Sequence, residues 1–116
     1  ELSQDMKKFV NNSSLILFYF KADNKDKYYR GSYRYPILHY EFIEYNTLNL
    51  DESELIYYMM LENKIKTKYK NNLFLITDYS QKLKKDISER LYTEDFNINK
   101  INTHKKYDLF QIKFND

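Results

Sequence analysis

Apolar positions along this chain change spacing from segment to segment, and each change predicts an element. Leu2, Met6, Phe9 and Val10 recur at helical intervals, so a short amphipathic helix is expected at the start, broken by Ser13-Ser14. The run LILFYF, Leu15–Phe20, is continuous, short and β-rich, which suits a buried strand. KADNKDK reads as a charged turn. In YYRGSYRY, Tyr28, Arg30, Ser32 and Arg34 alternate with Tyr29, Tyr33 and Tyr35, predicting a returning strand that Pro36 ends or marks as an edge. ILHYEFIEY, residues 37–45, is compatible with a strand or a short helix.

The clearest helix start follows. Asp51 and Glu54 stand in the capping-box relation, with further acids in the first turn where the helix dipole favours them. LIYYMML runs apolar for seven residues, and a helix apolar on most sides is a buried one. Lys64, Lys66, Lys68 and Lys70 suit a helix C-terminus, so this helix is expected at about 51–64. NNLFLIT, 71–77, reads as a short strand, with Thr77 as N-cap of the next element. Tyr79, Leu83, Ile87 and Leu91, spaced by four, predict a helical stripe over about 78–93, continuous or divided near Lys84-Lys85. Phe96 and Ile98 then alternate with Asn97 and Asn99, while Phe110, Ile112 and Phe114 share one strand face and Gln111 and Lys113 the other. The pattern is a half-buried antiparallel hairpin. Its polar tip, Asn102-Thr103-His104-Lys105-Lys106, reads as longer than a two-residue turn.

Composition narrows the class. A chain of 116 residues suits one domain, 1–116, with one core. One Gly and one Pro exclude collagen-like and glycine-rich phosphate-loop architectures, and the absence of Cys removes disulfides, thiolate nucleophiles and Cys-based zinc sites. An intracellular home is expected from the missing cysteines. A first residue of Glu is expected of a processed chain or a piece of a longer one. The longest apolar runs fall far short of the ~20 residues a membrane helix needs. The 13 Tyr and 8 Phe make the chain aromatic-rich, though abundant Asn, Lys, Ile and Tyr also fit AT-rich coding sequence. Net charge is +2, divided into −2 for residues 1–58 and +4 for 59–116. Lys64–Lys85 holds seven lysines against the single acid Asp78, an imbalance able to attract phosphate or simply to solvate a surface.

The second half therefore reads helix, strand, helix or helix pair, strand, polar loop, strand. This order predicts an α+β winged helix-turn-helix: helices at about 51–64 and 78–93, and a three-stranded sheet with a C-terminal β-hairpin wing. Residues 46–116 would be the winged-helix core and 1–45 an N-terminal extension of a helix and a β-hairpin. The run DISERLYTEDFNINKINTHKKYDLFQIKF resembles the last helix, strand and wing of the winged-helix domains that end the middle subunit of replication protein A. The telomere-capping subunits of the CST complex and their telomerase-associated relatives end similarly. The resemblance spans roughly residues 50–114 and rests on Ile87, Leu91, Ile98, Tyr107, Phe110 and Ile112; the extension 1–45 departs from it. It implies a nuclear domain tethered to a single-strand-binding OB-fold subunit, docking proteins of DNA replication or telomerase with modest nucleic-acid contact.

Signatures of chemistry are thin. His39 and His104 lack HExxH or HxH spacing, and a metal site would need Glu41 and Asp108 brought from afar. No serine sits in a G-x-S-x-G elbow, and helix capping accounts for Glu52/Glu54. The expectation is a non-catalytic protein with no cofactor, no metal and no small-molecule substrate. KYYRGSYRY offers tyrosines for base stacking with Arg30 and Arg34 for phosphate, though a strand would put both arginines opposite Tyr29, Tyr33 and Tyr35. For a winged helix on DNA, the candidate contacts are Lys82, Lys84, Lys85 and Arg90 on the helix, with His104, Lys105 and Lys106 at the tip. Asp86, Glu89, Glu94 and Asp95 beside them would repel phosphate, so docking of a partner protein suits the mixed charge better than tight duplex binding. Two other readings remain: a plasmid or phage replication-initiator winged helix that reads duplex DNA, and a secreted or phage-encoded inhibitor.

Overall fold

The computed structural model describes residues 6–19, 45–50, 62–90, 96–104 and 107–115. They form strand β1 (Leu15–Tyr19), β2 (Asn46–Leu50), helix α1 (Glu62–Tyr69), β3 (Leu73–Thr77), helix α2 (Ser80–Arg90), β4 (Phe96–His104) and β5 (Tyr107–Phe114). The class is α+β. One mixed sheet of five strands runs in the order β2-β1-β3-β5-β4. β1 is parallel to both β2 and β3; β5 is antiparallel to β3 and β4.

The expected three-stranded sheet is thus corrected to five. Its predicted members do lie side by side as β3-β5-β4, but β3 is not an edge: β1, from the stretch read as an extension, pairs along its whole length. The reason lies in the side chains. Leu15, Leu17 and Tyr19 join one core cluster, while Ile16 and Phe18 join another on the opposite face. A strand apolar on both faces loses most when it sits at an edge, and parallel neighbours on either side bury it fully. β3 behaves the same way, with Leu73 and Leu75 on one face and Phe74 and Ile76 on the other. β2 was not anticipated. Leu48 and Leu50 alternate there with Thr47 and Asn49, but asparagine is a poor strand former and hid the pattern.

The helices shift as well. The one placed at about 51–64 lies largely outside the described residues; α1 runs on to Tyr69, through lysines read as marking its end. Lysine is a good helix former, so Lys66 and Lys68 continue the helix and sit favourably in its last turn. Termination belongs to Asn71, whose φ of 65° is left-handed. The Asn72 amide bonds back to the Tyr69 carbonyl (2.9 Å). α2 covers Ser80–Arg90, inside the predicted 78–93; residues 91–93 lie outside the described residues. Leu83 and Ile87 of its stripe are buried against the sheet, and Tyr79 is half-buried. At the chain start, Met6 and Val10 pack on the second face, and a turn through Asn11–Ser14 leads into β1. The expected elements at 28–35 and 37–44 lie outside the described residues.

The C-terminal hairpin forms as predicted, with Phe110, Ile112 and Phe114 on the α2 face. Its tip does not. The ladder continues to His104↔Tyr107, so only residues 105 and 106 separate the strands and Asn102, Thr103 and His104 are strand residues. A register shift between Lys100 and Asn102 takes up the extra residue, Ile101, whose side chain packs on the second face.

Candidate binding surface at the hairpin end of the sheet

One row of residues crosses the end of the sheet where β1, β2 and β3 finish and β5 begins. Register pairs Leu50 with Tyr19, Tyr19 with Thr77, Thr77 with Asp108, and Asp108 with Thr103. Strand alternation sends these side chains toward α2. Four polar contacts lie there, two of which, from Tyr19 and Ser80, tie helix to sheet. The Tyr19 hydroxyl donates to Asp86 Oδ2 (2.6 Å), both residues being buried. The Thr77 hydroxyl accepts the Tyr79 amide (2.9 Å), steering the chain into α2. Thr77, expected as the N-cap, thus lies two residues before the N-cap position. Ser80, the first residue of α2, donates to Asp108 Oδ2, and Thr103 donates to Asp108 Oδ1 (2.7 Å).

Asp108 is the hub of this end. Burial would raise its carboxyl, but the Ser80 and Thr103 hydroxyls, with Lys100 and Lys84 nearby, outweigh burial and hold it below the usual carboxylate range. Tyr107 responds oppositely: burial, reinforced by the charge of Asp78, raises its phenol. Both the Ser80 and Thr103 hydroxyls donate to the Asp108 carboxylate, and their hydrogen bonds favour its charged form. His104 pairs with Tyr107, and strand alternation turns it to the face opposite Asp108. Among the described residues no three His, Asp or Glu side chains gather as a metal ion would require.

Of the seven predicted contact residues, the side chains of Lys82, Lys84, Lys85 and His104 are among those described. Lys84 and Lys85 are exposed on α2. Lys82 is held 3.0 Å from Asp86 Oδ1, so its charge serves the buried carboxylate before any outside phosphate. Arg90 closes α2, with its side chain outside the described residues. His104 is half-buried at the end of β4; Lys105 and Lys106 lie outside the described residues. Lys100, exposed on β4 near Asp108, is the cation that the sequence reading missed. Ser80, Thr103 and Asp108 were also missed as a group. No spacing rule links Ser80 to a carboxylate 28 residues on, and only the β3–β5 pairing brings them together.

Among the described residues no helix is long and apolar enough to cross a membrane. No family model, no curated protein and no solved structure matches the chain.

Proposed function

We propose that the chain is a non-catalytic interaction module that docks a partner protein through α2 and the β4–β5 hairpin, with weak nucleic-acid contact. One observation carries the reading. Asp108 holds both the first residue of α2 and the outer strand of the hairpin, so helix and hairpin present one rigid surface. That surface mixes charge, with exposed Lys84, Lys85 and Lys100 beside exposed Glu89 and half-exposed Asp78. Alternating signs favour a protein partner over a continuous phosphate backbone.

The finer fold reading, a winged helix, draws support from the succession α1–β3–α2–β4–β5 and the ladder order β3-β5-β4; the parallel β1 and β2 are additions to that plan. In this reading, the partner belongs to a nuclear replication or telomerase assembly, as the resemblance implies. The test is a titration with single-stranded and duplex oligonucleotides at rising salt, on wild type and on Lys84→Ala/Lys85→Ala/Lys100→Ala. Weak binding, abolished near physiological salt and lost in the triple variant, is the expected result. Tight, sequence-specific duplex binding would overturn docking in favour of a DNA reader.

A further inference from the structure

Sheet order leaves β4 at an edge, where among the described residues it pairs with β5 alone. The strand is nine residues long, with no proline and no acid. Its side chains are open on both faces: Asn97 and Asn99 are exposed on one, Lys100 on the other. Edge strands carry outward N–H and C=O groups that template a further strand, and proteins blunt them with lysines and bulges. Both devices are present, Lys100 and the shift between Lys100 and Asn102. They lie at or beyond Lys100, which leaves Phe96–Lys100 in regular register with Phe110–Phe114.

We infer that β4 accepts an extended segment of the partner protein as a sixth strand, with an acidic residue opposite Lys100 and apolar residues opposite Ile98 and Phe96. This rests on the docking reading above and names what is docked. The face toward α2 dictates the pattern. Phe96 is buried, Ile98 half-buried and Lys100 exposed, with the half-buried Phe114 ring 6.4 Å from Phe96. An acid opposite Lys100 enters the field of Lys100 and Lys84, which already act together on Asp108. Apolar side chains two and four residues further extend the rim of Ile98 and Phe114. On the opposite face the intervening residues meet Asn97 and Asn99 and are polar. An antiparallel guest therefore reads acid-polar-apolar-polar-apolar. A second copy of β4 does not fit this description, because the strand brings a lysine and no acid.

The probe is a blocked heptapeptide, Thr-Glu-Thr-Val-Thr-Val-Thr, added to the full chain while backbone amide exchange and chemical shifts are followed. Two controls replace its Glu by Lys or its first Val by Pro. Exchange at outward-facing amides between Phe96 and Lys100 should slow at least about tenfold at saturation, with the Lys and Pro peptides binding at least about tenfold more weakly. Lys100→Glu, an exposed substitution that leaves the core intact, should reverse the preference between the Glu and Lys peptides. Equal binding of Glu and Lys peptides, or no binding at about 1 mM, overturns the inference. Peptide shifts confined to α2 end strand addition yet keep docking; tight, sequence-specific duplex binding without peptide binding ends both.

Discussion

β1 and β3 bury all five of their residues each, whereas β4, nine residues long, buries only Phe96. The first two are inner parallel strands whose uninterrupted apolar runs feed separate cores on both faces. β4 is an outer antiparallel strand with a polar, asparagine-rich second face. One region holds the molecule together and the other is left available. The difference teaches that burial follows position in the sheet: β1 and β3 are flanked by strands on both sides, whereas β4, flanked among the described residues by β5 alone, can present polar groups.

Core truncation should separate the two regions most strongly. Leu75→Ala, in a fully buried inner strand, should cost about 2–5 kcal/mol in denaturant unfolding, while Ile98→Ala on half-buried β4 should cost about 1 kcal/mol. Equal costs would dissolve the distinction. Next in size is Tyr19→Phe, which removes the hydroxyl donor to buried Asp86 and should cost about 1.5–3 kcal/mol. Asn71→Ala puts a Cβ-bearing residue without local hydrogen-bonding capacity at φ 65° and should cost about 1 kcal/mol, whereas Asn71→Gly should be neutral or stabilising.

Smaller still is the contribution of Asp108, and its mark is a pH dependence. The carboxyl titrates lower in the folded chain than its ordinary 3.8, so its stabilisation is complete above that value and is lost as pH falls through the folded one. Asp108→Asn should remove this acid-limb slope of stability against pH, and should loosen the hairpin in amide exchange before it affects β1 or β3. The smallest effect belongs to exposed Asn99. Asn99→Ser should move stability by no more than about 0.5 kcal/mol, as the edge strand requires.

Much of this architecture was legible in local pattern. Leu15–Phe20 announces itself as a buried strand and 71–77 as a short one, Leu83 and Ile87 as part of a helix stripe, and Phe110, Ile112 and Phe114 as one face of a hairpin. That β3 is buried on both faces came from the structure. Of the candidate surface, the sequence named Lys84 and Lys85, which lie exposed on α2, but not Lys100, nor Ser80 with Thr103 as partners of Asp108. Periodicity reports which way a side chain turns. It cannot report which distant strand lies alongside, and Asp108 acquires meaning only from that neighbour.

By itself, then, the amino-acid order determined the elements with strong periodicity and the side chains each would bury, because those depend on contacts a few residues apart. Only the tertiary structure decided that β1 enters the sheet beside β3 and that Ser80 meets Asp108. These outcomes are set by the joint burial of segments tens of residues apart, a free energy no single segment carries.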